Sequence, residues 1–314
     1  HHGEPQRRYE EVKQIGQEFN NIEKELKDTT VDSKIGILYD YSSLWALETQ
    51  PHAEKGFGYI ENAQRFDQAV AGLGLSADAV SIKSDLDQYD ILFAPSQHIL
   101  TPEIVEKIKE YTQNGGLVIF GPRSGVKDRE NAVINEYLPG KIRELSGCYI
   151  KEYDNFSQIQ DLNMKVKDNS NNEFEATGLA EILVTEKESA QPLLYYNNHY
   201  YAEEPAAVEN NLNSGKCIYL GTVLQESGFK HLIQKLIEEN DLNLESNDLM
   251  RDLPEALEIV TRSSKNNSYK FYLNHSQESV NINIKNKGKD LISGNILEGN
   301  YELPGFGLLI IKEN

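Results

Sequence analysis

The residues best placed to do chemistry follow an apolar run at 117–120, where Gly121-Pro122-Arg123-Ser124-Gly125 forms a glycine-bounded turn. In sheets whose strands alternate with helices, ligands collect at the carboxyl ends of the strands. Arg123 and Ser124 are therefore candidates for a site rim or an interface. A serine in such a turn also suggests a nucleophile, and two features argue against it. Pro122 stands where the G-x-S-x-G frame needs its first glycine, and no His and Asp partners can be assigned to Ser124. A second cluster, Tyr41, Trp45 and Glu48, lies in a loop expected just past another apolar strand, and Trp45 is the only tryptophan. Aromatics at a strand exit serve as core, interface anchor or sugar platform. Their enrichment at interfaces favours an interface or a site rim here over the core.

Other patterns carry less. Gly72-x-Gly74-x-x-Ala77 has dinucleotide spacing, but it ends a helix and precedes a strand, the reverse of what a pyrophosphate needs. It reads as a helix stop. Gly215-Lys216 is followed by Cys217 rather than Ser or Thr, so it is no phosphate loop. The seven histidines show no HExxH or other metal spacing, and His52, His98 and His199 read as satisfied or solvated. No metal and no cofactor is expected. The 50 Asp and Glu residues include no pair that the sequence singles out for acid–base work. Cys148 and Cys217 stand singly, without CxxC, which points to two buried thiols in a reducing compartment and so to the cytoplasm. Sequons at Asn155, Asn266 and Asn274 read as chance in an Asn-rich chain.

The elements that must position these groups come from charge and periodicity. A net charge of −19 over 314 residues, with no basic stripe, repels phosphate backbones and argues against nucleic acid and anionic membranes. The length suits two or three domains, and a mean hydropathy of −0.57 suits a soluble globular protein. Apolar stretches reach only a handful of residues, so no membrane span is expected, and the start, His1-His2-Gly3-Glu4-Pro5, suggests no signal peptide. Val12, Ile15, Phe19, Ile22 and Leu26 predict an amphipathic helix over 5–28, followed by a polar linker at 28–33. Strands are expected at 35–39, 79–82, 90–95 and 117–120, and helices at 59–73 and 101–113. Thr101 caps the second helix, Pro102 opens it and Asn114-Gly115-Gly116 ends it. This alternation predicts an α/β fold with a parallel sheet covered on both faces. Further strands are expected at 182–185, 193–196, 206–209 and 217–220, with a helix at 225–239 and a polar surface excursion at 165–175. After Pro254 the period becomes two, with Tyr269, Phe271 and Leu273, then Val280, Ile282 and Ile284, and a last strand at 308–311. A small antiparallel β domain is expected there.

Taken in order, these segments resemble the carboxyl-terminal part of the family 42 glycoside hydrolases, bacterial-type β-galactosidases. Gly3-Glu4-Pro5-Gln6-Arg7-Arg8-Tyr9 resembles the segment opening the last helix of that family's (β/α)8 barrel. Residues 38–48, with their tryptophan, resemble the opening of its middle domain. Tyr89-Asp90-Ile91-Leu92-Phe93-Ala94-Pro95, Arg123-Ser124-Gly125-Val126-Lys127-Asp128 and Leu138-Pro139-Gly140 resemble later signatures of the same domain. Arg262, Phe271-Tyr272-Leu273-Asn274-His275 and Leu291-Ile292-Ser293-Gly294 resemble its small carboxyl-terminal β domain.

The resemblance implies a middle domain of the class I glutamine amidotransferase-like, flavodoxin-like type, which mediates homotrimerisation. It implies retaining hydrolysis of terminal β-D-galactosides by two barrel glutamates that precede the matched region. No catalytic residue is therefore carried over, and the chain is expected to be inactive alone. The amidotransferase cysteine has no counterpart, since neither Cys148 nor Cys217 sits at a strand-to-helix elbow. The expected organisation is a last barrel helix and linker at 1–30, a trimerisation domain at 31–250 and a β domain at 251–314. Expected partners are copies of the chain, the barrel and, only in the intact enzyme, a galactoside. Residues 44–53 would border a neighbour's active site. The rival reading is an independent small-molecule-binding or hydrolytic protein using the crevice near Asp40, Ser96 and Ser124. A regulatory paralogue without the barrel is a third.

Overall fold

The computed structural model describes residues 3, 5–31, 33–50, 57–155, 164–242, 244 and 253–313. Helix α1 (Arg7–Leu26) follows the expected apolar spacing, with the pair Arg7–Glu11 one turn apart on its outer face. Ile22 is buried, while Val12, Ile15 and Phe19 are exposed. The expected linker instead contributes strand β1 (Thr30–Val31), which pairs antiparallel with Leu257–Ser263. Arg262 donates to the hydroxyl and carbonyl of Thr29 at 3.0 and 2.7 Å. A partner strand thus satisfies a backbone whose polar side chains read as linker.

The chain forms two units, one built on Ser33–Ala71 and Ala77–Asn247, the other on His1–Asp32, Gly72–Ser76 and Asp248–Asn314. The first begins with β2 (Ile35–Leu38), α2 (Tyr41–Thr49), α3 (Tyr59–Ala71), β3 (Ala77–Val80), β4 (Ile91–Ala94), α4 (Pro102–Gln113) and β5 (Leu117–Phe120). It continues with α5 (Arg143–Ser146), β6 (Cys148–Asn155), β7 (Met164–Asp168), β8 (Glu173–Thr185), β9 (Ala190–Tyr196), β10 (Pro205–Leu212), β11 (Gly215–Leu220), β12 (Thr222–Leu224) and α6 (Glu226–Glu239). Five strands run parallel in the order β3-β2-β4-β5-β11. β2, β4 and β5 are buried at every position, as a sheet covered on both faces requires. On one face Phe66 of α3 stacks on Phe93 of β4 at 4.2 Å, and Phe229 of α6 meets both edge-on. On the other, Ile108 and Tyr111 of α4 and Leu145 of α5 pack on Leu92, Val118 and Phe120.

The cap reading of α4 holds: the Thr101 hydroxyl accepts from the Ile104 amide, and Pro102 sits in the first turn. β3 lies two residues before its expected place, because pairing of Ile35 with Ala77 sets the register. The expected excursion at 165–175 is corrected to a hairpin of the sheet. Val166 of β7 is buried, and the Asn-rich stretch is only the turn. There Asp168 accepts from the amides of Ser170 and Asn172, and Asn171 takes the left-handed conformation. Lysines on the outer face of β7 hid the strand.

The second unit holds β13 (Leu257–Ser263), β14 (Ser268–Asn274), β15 (Val280–Asp290), β16 (Ile296–Leu303) and β17 (Leu308–Glu313), antiparallel in the order β1-β13-β14-β17-β15-β16. The period of two is there, but the core takes Tyr272 with Leu257, Ile259, Ile284 and Leu309, so Phe271 and Leu273 face the other way. Tyr269, on that second face, is buried and donates to Glu25 of α1 at 2.9 Å. Lys312 meets the same carboxylate at 2.6 Å and, with Tyr269, holds its pKa below the usual range.

Candidate functional site

The sheet delivers its candidates at the exits of β2, β4 and β5. Beyond β2, the Tyr59 hydroxyl donates to the Leu38 carbonyl and accepts from the Asp40 amide, both at 2.8 Å. The Asp40 carboxylate caps α2, accepting from the amides of Ser42 and Ser43 at 3.2 and 2.9 Å. It also accepts from Gln97 Nε2 at 2.9 Å, which ties α2 to the exit of β4. Trp45 therefore lies on a helix and not in the expected loop. The signal was an Asp followed by two capped serine amides, a helix start. Of the stretch 44–53, residues 51–53, His52 among them, lie outside the described residues.

α2 turns Leu44 and Leu47 inward and Tyr41, Trp45 and Glu48 outward, the i, i+4, i+7 spacing of one face. Tyr41 is 59% and Trp45 61% exposed, so neither is core. Their rings lie 5.6 Å apart, and Tyr39 meets Tyr41 edge-on at 5.2 Å. A cavity of about 380 Å³ opens beside this face. Its floor is buried Leu44, Leu47, Phe57 and Tyr59, and exposed Glu48 and Glu61 stand at its edge.

Beyond β5 it is Arg123, at φ 62°, that takes the left-handed position in the turn, not Ser124. The Arg123 amide and Nη1 donate to the Glu181 carboxylate at 3.3 and 3.4 Å, and the Tyr219 hydroxyl donates to it at 2.8 Å. Glu181 is wholly buried, and burial pushes its pKa up against the pull of Arg123 and Tyr219. The Arg123 guanidinium lies 4.7 Å from the centre of the Tyr153 ring. His98 Nδ1 donates to the Arg123 carbonyl at 2.9 Å, and burial lowers its pKa to about 4, so the ring is neutral.

Ser124 is wholly buried. Its hydroxyl donates to the Gly121 carbonyl at 2.7 Å and accepts from the Gln97 amide at 3.0 Å. Ser96 donates to the Pro95 carbonyl at 2.6 Å. Asp40, Ser96 and Ser124 are thus committed to internal hydrogen bonds, and no observation supports the small-molecule or hydrolytic reading. Gln97 links the two exits, joining Asp40 and Ser124. Arg123 and Ser124 are buried, while Tyr41, Trp45 and Glu48 are exposed. Glu181 was missed, although a lone carboxylate within Leu179-Ala180-Glu181-Ile182-Leu183 signals a buried charge needing a cation. Burial pushes the Cys148 thiol up to about 12 and Cys217 well above its usual value, so both stay protonated. Among the described residues, no group of three or more His, Cys, Asp or Glu is placed to hold a metal ion, and no helix is long and apolar enough to cross a membrane.

Two family models match the chain: the β-galactosidase trimerisation domain over residues 33–243 and the β-galactosidase C-terminal domain over 256–313. A β-galactosidase of Clostridium cellulovorans is 26% identical over 306 residues, which cover 98% of this chain and 45% of that protein. The crystal structure of a β-galactosidase from Bacillus circulans sp. alkalophilus aligns with a TM-score of 0.89 at 21% identity, over 98% of this chain and 45% of the other. A β-galactosidase from the haloarchaeon Halorubrum lacusprofundi aligns at 0.85 and 25% identity, over 99% and 44%. The chain spans about 45% of the length of the curated relatives it matches. Its mixed α/β unit and antiparallel β unit share the fold of those enzymes.

Proposed function

We propose a role for this chain from one premise: it belongs to the family 42 β-galactosidases. It matches their non-catalytic trimerisation and carboxyl-terminal portion, and its task is to hold three copies together. The intact protein hydrolyses terminal β-D-galactosides with retention of configuration, on a barrel that precedes α1. On this reading residues 1–30 are the last barrel helix with its linker, 31–250 the trimerisation domain and 251–314 the β domain. The exposed stripe of Val12, Ile15 and Phe19 supports the first assignment, since an amphipathic helix needs a surface for its apolar face. The middle unit is of the class I glutamine amidotransferase-like type. Among its parallel strands the spatial order, numbered by appearance, is 2-1-3-4-5, a doubly wound arrangement. The turn after β5 holds Ser124, and no cysteine stands in it. Tyr41, Trp45 and Glu48 form an interface or substrate-site rim in the trimer, with Arg123 and Ser124 as its support. Two buried, protonated thiols fit a reducing cytoplasm.

The observation that carries the proposal is the trimerisation-domain match over 33–243, on a unit that presents exposed Tyr41 and Trp45. Light-scattering mass with a galactosidase assay on the same fractions tests it. A mass near three times 35.6 kDa without turnover is expected. A monomer that turns over substrate overturns it.

A further inference from the structure

Helix α1 has little reason of its own to form. It contains no alanine, and Gly16, Asn20 and Asn21 lower its helix propensity. A helix of such composition is marginal in water and depends on packing. Yet every residue from 7 to 17 is exposed, and only Ile22 of the helix is buried. What fixes α1 therefore acts toward its carboxyl end, and the β unit meets it there.

Four neighbouring strands present one row of side chains on the face turned away from that unit's core. Arg262 of β13 stands opposite Tyr269 of β14, Tyr269 opposite Lys312 of β17, and Lys312 opposite Lys289 of β15. Two lysines directly opposite each other destabilise a sheet unless an anion faces them. Glu25 of α1 is that anion. Its carboxylate accepts from Lys312 Nζ at 2.6 Å and from the Tyr269 hydroxyl at 2.9 Å. Lys312, Tyr269 and, more weakly, Lys289 hold that carboxyl below the usual range. At the other end of the row, Arg262 completes the end of the helix. Its Nε donates to the Thr29 hydroxyl at 3.0 Å, and that hydroxyl donates to the Leu26 carbonyl at 2.7 Å, a last-turn carbonyl with no partner inside the helix. Its Nη2 donates to the Thr29 carbonyl at 2.7 Å. Asp28 takes the left-handed conformation before Thr29, at φ 66°, and β1 then pairs with β13. The cations of the row also suit the negative end of the helix dipole.

We infer that the β unit works as a clasp for α1: the row of Arg262, Tyr269 and Lys312 grips Glu25 and Thr29, keeps the helix folded and so presents its apolar stripe of Val12, Ile15 and Phe19. That the stripe serves a barrel rests on the function proposed above. The clasp itself lies wholly within this chain and needs neither the barrel nor the trimer.

Amide hydrogen exchange in the 314-residue chain tests it, because exchange reports opening element by element. Glu25→Lys sets a cation against Lys312 and Lys289. It should speed exchange of the α1 amides about tenfold, the effect of losing hydrogen bonds to a charged group, with β13–β17 at wild-type rates. Adding Lys312→Glu rebuilds the ion pair in the opposite sense and should return most of the protection. Tyr269→Phe keeps the ring, removes only the hydroxyl and should speed α1 exchange severalfold. Wild-type exchange of α1 in Glu25→Lys, or a charge swap that restores nothing, overturns the inference. Equal loosening of α1 and β13–β17 overturns it as well, since the row would then serve the sheet and not the helix. Light scattering on the same samples keeps the two readings apart. A monomeric chain whose α1 responds to Glu25→Lys loses the trimer and keeps the clasp, and a trimer whose α1 does not respond loses only the clasp.

Discussion

The Arg123–Glu181 pair is a buried ion pair whose partners depend on each other. Both are almost fully buried, and Glu181 also accepts a 2.8 Å hydrogen bond from the Tyr219 hydroxyl. Arg123→Met would leave that carboxylate uncompensated and should cost about 3–5 kcal/mol, read from urea unfolding. Adding Glu181→Leu should restore most of the loss, because an apolar pair of similar volume removes the stranded charge. His98 makes an acid limb. Its native pKa, about 4, lies below the ordinary value of about 6.5. Between these the unfolded ring binds a proton that the native ring refuses, so stability is full above about 6.5 and falls as pH drops toward about 4. The loss should approach ~3 kcal/mol, and His98→Gln should flatten the slope in pH-dependent melts.

Helix α2 is short and is held in place mainly through its first turn. Asp40 satisfies two of its amides and receives Gln97, and Tyr59 clamps the backbone on either side of Tyr39. Asp40→Ala should cost about 1–2 kcal/mol. It should also speed the fluorescence anisotropy decay of Trp45, since the helix carrying that ring loses its anchor. An unchanged decay would mean that the buried Leu44 and Leu47 suffice. Thr101→Ala, at the start of α4, should cost about 1 kcal/mol and leave Trp45 unaffected. The contrast separates loss of a cap from loss of the α2 platform.

At the scale of the whole chain, the net charge of −19 opposes assembly. Repulsion between exposed carboxylates acts over a Debye length of about 10 Å at 0.1 M salt and is screened beyond it. Short-range apolar burial of exposed rings such as Tyr41 and Trp45 is not screened. Added salt should therefore shift the monomer–trimer equilibrium toward trimer in sedimentation velocity. Dissociation by salt would mean that attraction between unlike charges across the interface dominates instead.

Much of the fold was legible because its signals are local. The apolar runs at 91–94 and 117–120 form strands, the Thr101–Pro102 start opens α4, and the spacing of Phe229, Leu232, Ile233 and Leu236 forms α6, each decided within a few residues. The resemblance to the family also rests on short ordered segments. Choices between distant partners were not legible. Glu181 finds Arg123 across 58 positions, and Thr30–Val31 becomes a strand only because Leu257–Ser263 lies beside it. The Asn-rich 169–172 is a hairpin turn only because β7 and β8 are paired. The inward face of β14 is set by its neighbours rather than by its own alternation, which offers two apolar faces. For the candidate site, the sequence by itself determined which residues cluster after the strands: Tyr41, Trp45 and Glu48, then Arg123 and Ser124. The tertiary structure decided that the first three face solvent and the last two do not. Solvent access follows from what packs above a side chain, and chain-distant elements supply that packing.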